Sequence, residues 1–502
     1  MKYSTYYIDN KTFDDTKKSI EKAGGWWVRF GTDMLTYAAN NRWSDVDARF
    51  SADKRNARQN AGSVRKSDMH LVVQKGRTFQ QENPDAEVLY DKGRYLVVAM
   101  SPAKAKQLAK RKDVCFHIMP LEENQVVFEE YVPKRTEAPT DTPEAGIVAG
   151  VQKSVFESYI SQLVSYPTRL STSSHYMEAA GWANGVLAGM GYGTSLETVS
   201  LSGGKTSANV VAKRQGNGGI ARENIIVVAH LDSVNHPGGA SADAPGADDN
   251  ASGSAGLLTL AAACSGHEFA HDLTFILFGG EEQGLHGSTQ YVASLPPAER
   301  ARTRAVLNMD MIGSVNATPP AVLLEGATLS QSLIDGLATS AAQFTTLTVQ
   351  TSLNPFASDH VPFIDEGIPA VLTIEGADGA NSAIHTGDDT LDKIDADFAI
   401  SILRMNAGFI AAEAGVIKPP ADCGCGGGAD TPPVTAEEAQ AARELALHYQ
   451  ALFAQYSRLW RDGLLSSADY GNWQSARAAH DALMQQMGVA TPHTYPQNAG
   501  LY

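Results

Sequence analysis

Residues 225–233, IIVVAHLDS, begin a run of four similar stretches, continued by 246–253, GADDNASG, by 273–288, LTFILFGGEEQGLHGS, and by 305–313, AVLNMDMIG. Three of them open on a short run of Val, Ile, Leu, Phe or Ala and break off at Gly, Asp or Asn. Runs of this length and composition predict strands buried on both faces of a mostly parallel sheet. Helical patterns over 252–264 and 285–294 fall between them, so the fold class is α/β, a mixed, mostly parallel sheet with helices on both faces. Open sheets of this kind bind ligands at the carboxyl ends of their strands. His230, Glu281, Glu282 and Asp310 stand at those ends.

The residue types point to a metal. Asp232, two residues after His230, can fix the orientation and tautomer of a metal-binding imidazole. Asp249 sits on a Gly-rich turn whose Asn and Gly neighbours permit unusual backbone angles, and a solvated or capping role is expected for its neighbour Asp248. The adjacent acids Glu281 and Glu282 must reach solvent or be neutralised by a cation, because two buried carboxylates without compensation cost several kcal/mol. Neighbouring residues point in different directions, so one of them can bind metal while the other accepts a proton. Asp310 ends the next strand and His385 follows in a loop. Five oxygen and nitrogen ligands exceed the needs of one tetrahedral zinc and suit two zinc ions sharing a carboxylate; without thiolate, the set favours zinc, cobalt or manganese.

These motifs, in this order over residues 148–416, resemble the di-zinc aminopeptidase family of the bacterial leucyl aminopeptidase and aminopeptidase Y type. The resemblance implies a zinc exopeptidase fold in which Asp249 bridges two zinc ions, His230 and Asp310 hold one, and Glu282 and His385 hold the other. Glu281 is then the general base and acid, Asp232 orients His230, and the Asp249–Asn250 peptide is expected to be cis. The implied substrates are peptides with a free N-terminus. A tyrosine that supports the oxyanion in some members has no counterpart, since NPFA precedes Ser358-Asp359-His360 and Ile384 precedes His385. Dipeptidases and carboxypeptidases on the same ligand set are the alternative, although the interval from Asp310 to His385 is too short for the lid domain many of them carry. Glutaminyl cyclases share the fold but use a single zinc, and the full ligand set argues against a non-catalytic binding protein.

Outward from this core the 502 residues divide further. Residues 1–140 read as a small N-terminal α/β domain, with helices near 13–23 and 45–59 and strands at 70–73 and 95–100; its possible roles are prosegment, lid, partner-binding module or structural appendage. A Pro-rich linker over 133–143 leads to the peptidase domain, 146–417. A Gly/Pro/Cys linker, 418–434, and a C-terminal helical hairpin in 435–502 follow. The net charge is −16, but residues 1–120 hold 22 Lys+Arg against 14 Asp+Glu, a net of +8 that leaves −24 on the remainder. That asymmetry attracts the two parts or merely marks solvated faces. Scattered basic residues give no nucleic-acid motif, and no apolar run is long enough to span a membrane. Four cysteines do not make a disulfide framework, and Cys423 and Cys425 stand as a possible metal or redox pair. His236, His271, His286 and His360 are expected at the surface or behind the ligands. MKYSTYYIDNKTFDD lacks the apolar core of a secretory signal, which is consistent with a cytoplasmic chain or with a signal already removed.

Overall fold

The structure, a computed structural model, describes residues 1–51, 61–111, 115–136, 142–219 and 222–417. The end of the helix expected over 45–59, part of the linker over 133–143, Cys423, Cys425 and the segments 418–434 and 435–502 lie outside the described residues. The N-terminal strands are β1 (Lys2–Tyr7), β2 (Gly25–Phe30), β3 (Asp33–Ala38), β4 (Ala61–Ser63), β5 (Met69–Gln74), β6 (Glu87–Lys92), β7 (Tyr95–Ala99), β8 (Phe116–Pro120) and β9 (Gln125–Tyr131). Then come β10 (Gly193–Ser200), β11 (Thr206–Arg214), β12 (Asn224–His230), β13 (Glu268–Phe269), β14 (Asp272–Phe278), β15 (Thr303–Met309), β16 (Ala321–Gly326), β17 (Thr348–Ser352), β18 (Ala370–Glu375) and β19 (Val416–Ile417).

Thirteen strands join in the order β10-β11-β14-β12-β15-β18-β16-β17-β9-β2-β3-β1-β4. At its centre the sequence of strands β14-β12-β15-β18 is parallel, and every residue of β12 is buried. An apolar run without alternation fits there because a parallel strand with helices on both faces has no solvent side. Away from this centre the sheet becomes mixed: β10 and β11 form an antiparallel hairpin, and β16 runs antiparallel to β18. The expectation of a mostly parallel sheet therefore holds for the central strands and not for the whole sheet, because hairpins extend both ends.

One helix, Gly253–Ser265, crosses from β12 to β14 and is almost wholly buried. It is rich in Ala and Gly because it packs closely against the helix Ala396–Ala414: a methyl group at Gly256 would meet Leu403 Cδ2 at 2.9 Å. Only small side chains allow that approach. None of the helices among the described residues is long and apolar enough to cross a membrane.

The N-terminal residues continue the same sheet. β9 pairs antiparallel with β17 and parallel with β2, so the edge of the sheet built from residues beyond 193 is capped by strands from the first third of the chain. A second sheet, β6-β7-β5-β8, is built from the N-terminal residues alone. Residues 1–156 and 160–417 belong to one packed unit. Arg94, the residue before β7, is buried with its guanidinium 3.0 Å from Glu325 of β16 and 3.0 Å from Asp378.

Candidate metal centre

Each predicted site residue arrives from a strand end or the loop behind it, and the structure brings them together. His230 ends β12 with its ring fully buried, Nδ1 3.2 Å from the backbone oxygen of Asp232 and Nε2 3.2 Å from both Asp249 Oδ1 and Asp310 Oδ1. The other oxygen of Asp249, Oδ2, lies 3.0 Å from His385 Nε2, which is itself 3.1 Å from Glu282 Oε2. Asp249 thus stands between two imidazoles, one oxygen toward each. Glu281 Oε2 lies 4.0 Å from His230 Nε2.

This donor set fits a metal. Both carboxylate oxygens of Asp249, Glu282 Oε1 and His385 Nε2 are buried without a hydrogen-bond partner among the described residues. Buried polar atoms are rarely left so, and a cation is the usual remedy for converging carboxylates. His230 with Glu281 and Asp310, and His230 with Asp249 and Glu282, form groups compact enough to hold an ion.

The backbone around these residues is fixed by polar side chains. The Asp249–Asn250 peptide is cis, as the resemblance implies. Asn250 Nδ2 donates to the carbonyl of Met309 at 3.0 Å, and its Oδ1 accepts from Gly253 and Met311, which ties this turn to the strand end carrying Asp310. Gly253 has no side-chain room, since a methyl there would meet Asn250 Oδ1 at 2.3 Å and the Met309 carbonyl at 2.5 Å. Ser358 Oγ donates to Asp310 Oδ2 at 2.8 Å. Arg169, wholly buried, donates to the carbonyls of Leu231 at 2.8 Å and Gly246 at 2.9 Å, pinning the loops that follow His230 and precede Asp249. His385 holds a left-handed backbone, φ 58°, unusual for a side chain of its size and of the kind found at functional sites.

Asp232 does more than face His230. Its side chain lies 3.6 Å from Nδ1 of that ring, while its two oxygens accept the N–H groups of Glu281 at 3.3 Å and Glu282 at 3.1 Å. Asp248 departs from the expectation of a solvated or capping group. It is fully buried, accepting from Gly313 N at 2.9 Å and from Asn381 Nδ2 at 2.7 Å, because the turn points it into the protein behind the cluster. Asp389 accepts the N–H groups of both Asp248 at 2.9 Å and Asp249 at 3.0 Å. Sequence reasoning missed it, since its run, HTGDDTLDKID, offers several acids and no apolar boundary to select one.

Electrostatics separate the carboxylates. Burial pushes the Glu281 carboxyl well above the ordinary range, with Lys75 and His230 opposing and Glu282 and Asp310 adding to the rise. At Asp310, burial works upward, but the charges of Lys75 and His230 prevail and bring it to about 2. Lys75 is the second group that sequence reasoning did not find. It comes from the turn after β5 and lies with its ammonium among Asp249, Glu281 and Asp310.

Among the remaining histidines, the His236 ring meets His385 edge-on at 4.9 Å, and His236, His385 and Cys115 form a third group able to hold an ion. His360 is fully buried 3.6 Å from Glu325, and His271 accepts the N–H of Glu223 at 3.0 Å. A cavity of about 240 Å³ adjoins the centre, lined by Leu170, Val234, His236, Ala240 and Glu282 among others.

Residues 209–410 match the model of peptidase family M28. The chain is 32% identical over 269 residues to leupeptin-inactivating enzyme 1 of Streptomyces exfoliatus, covering 51% of this chain and 57% of that enzyme. The chain therefore spans little more than half of that relative's length. Leucine aminopeptidase 1 of Emericella nidulans is 27% identical over 284 residues, covering 53% of this chain and 71% of the relative. Among solved structures, LapB from Legionella pneumophila superposes with a TM-score of 0.50 at 18% identity, covering 69% of this chain and 99% of LapB, a likeness of fold.

Proposed function

We propose that this chain is a zinc-dependent aminopeptidase that removes N-terminal residues from peptides. The observation that carries the reading is Asp249, whose two oxygens lie 3.2 Å from His230 and 3.0 Å from His385 and so suit a carboxylate shared by two ions. His230 and Asp310 would hold one zinc, Glu282 and His385 the other, with Asp249 common to both. When bound, such ions lower the pKa of water and polarise the scissile carbonyl. The match of residues 209–410 to the M28 model and the name leucine aminopeptidase borne by a relative support the same reading.

The chain's own residues supply the rest of the chemistry. Glu281, whose proton affinity burial raises, takes the proton of the attacking water and returns it to the leaving amine. Asp232 fixes the backbone of Glu281 and Glu282, so the proton carrier and the neighbouring ligand keep one spacing. The mostly apolar cavity beside Glu282 takes the side chain of the N-terminal residue, and the acidic cluster receives its α-amino group. Cleavage is thereby confined to the first peptide bond.

The test is hydrolysis of aminoacyl p-nitroanilides beside their N-acetylated forms, with free dipeptides and C-terminally blocked peptides as companions. Cleavage of the free-amine compounds alone is expected. Cleavage restricted to dipeptides or to free C-termini would replace this reading with that of a dipeptidase or carboxypeptidase.

A further inference from the structure

The inference concerns Lys75 and rests on the metal-centre reading above. Strand β5 ends at Gln74, and the next side chain reaches into the acidic cluster, where Lys75 Nζ lies 3.2 Å from Asp310 Oδ2, 3.3 Å from Asp249 Oδ1 and 3.7 Å from Glu281 Oε1. Its side chain is only 4% exposed. Asp249 and Asp310 are the same carboxylates that converge on His230. An ammonium at that place meets the electrostatic demand a metal ion would meet, since clustered buried carboxylates need a cation. Lysine suits a removable occupant, being a compact charge on a flexible stem.

The neighbouring residues make this a built contact. The N–H of Lys75 donates to the carbonyl of Cys115 at 2.9 Å, and the Cys115 sulfur lies within ligand reach of His236 and His385. Gly76 has φ +56°, and a methyl group on it would come 2.5 Å from Cδ1 of Ile384, the residue before His385. Gln74 N donates to the carbonyl of Arg94 at 2.8 Å, and Arg94 is the buried partner of Glu325 and Asp378. One end of the sheet β6-β7-β5-β8 therefore delivers two cations into carboxylates of the peptidase region and sets a thiol beside the second imidazole. The positive balance of the first 120 residues meets the acidic remainder here.

We propose that the N-terminal residues hold the centre closed, with the Lys75 ammonium standing in for the metal ion at Asp249 and Asp310. Lys75 and a divalent cation cannot share those oxygens. Metal uptake and withdrawal of the 75–76 turn are then one coupled event: the closed state lowers apparent metal affinity by the fraction of chains that are open, and metal in turn favours opening.

The test measures zinc affinity of the full chain by competition with a chromophoric chelator, for wild type, Lys75→Met and Lys75→Met with Asp310→Asn. Lys75→Met is expected to bind zinc at least tenfold more tightly, and Asp310→Asn to abolish the gain. Gly76→Val keeps the lysine while pressing the turn off Ile384, and is expected to raise zinc affinity as well. Hydrogen exchange of wild type needs no variant: zinc should speed exchange over residues 72–77 and 115–118. Equal zinc affinity in wild type and both single variants, with exchange unchanged by zinc, overturns the closure and leaves the metal centre standing. Failure of every chain to bind zinc while folded overturns the metal centre itself, and the closure with it.

Discussion

The carboxylate of Asp232 accepts the backbone N–H of Glu282 at 3.1 Å, so the loop after β12 and the loop after β14 are joined by a single side chain. The same residue offers its backbone oxygen to His230 Nδ1 at 3.2 Å, which makes Asp232 the common support of that imidazole and of the two glutamates. Asp232→Ala is therefore expected to lower zinc affinity and kcat, by about 10–100-fold in one or both, as loss of such supporting groups does. Titration with zinc and steady-state kinetics check this. An unchanged enzyme would mean that the loops hold their places without it.

The proposed function makes Asp249 common to two ions, so its removal should affect both. Asp249→Ala is expected to lose both zinc ions, whereas His385→Ala should keep one. Metal analysis of the purified, folded variants separates these outcomes. Retention of one zinc by Asp249→Ala would contradict the shared carboxylate.

Arg94 is buried between Glu325 and Asp378, with side-chain exposure of 3% against 0% and 0%. Arg94→Met leaves two buried carboxylates without their cation, and breaking a buried pair in this way costs about 3–5 kcal/mol. A fall in denaturation midpoint is expected, accompanied by faster hydrogen exchange in β5 and β7. Adding Glu325→Gln to Arg94→Met should recover part of the loss, because it removes one of the stranded charges.

Much of the cluster was legible in the sequence because the residues that converge there are marked locally. An apolar run of strand length that stops at His230, at Gly279-Gly280 before the two glutamates, or at Asp310 announces both the strand and the polar group at its end. Asp248 was misread because adjacent acids on a turn are distinguished only by where the backbone aims them, and the turn at 247–252 aims this one inward, toward Gly313 and Asn381. Lys75 and Cys115 had no signal at all. Their positions depend on the docking of a second sheet onto the first, a long-range event that neither periodicity nor spacing encodes. The helical crossovers were clear as elements, yet their tight packing at Gly256 is a property of the partner helix.

Arg169 offers a separate test of the loop scaffold. Its guanidinium is buried and serves carbonyls on both sides of the centre, and burial pulls its pKa down to about 10 despite Asp389 and Asp232. Arg169→Leu leaves those carbonyls without a charged donor, each such bond contributing about 1.5–3 kcal/mol. Thermal unfolding should report a large loss of stability, and zinc should restore part of it by binding the folded chain alone.

The most direct test of the central claim is the Glu281→Gln chain, loaded with zinc and assayed on leucine p-nitroanilide beside wild type and, to remove the closing lysine, beside Lys75→Met. The account predicts that zinc content stays unchanged while kcat falls by about 10²–10⁴-fold, the range expected for loss of a positioned proton carrier. Full activity in Glu281→Gln with zinc bound would contradict it.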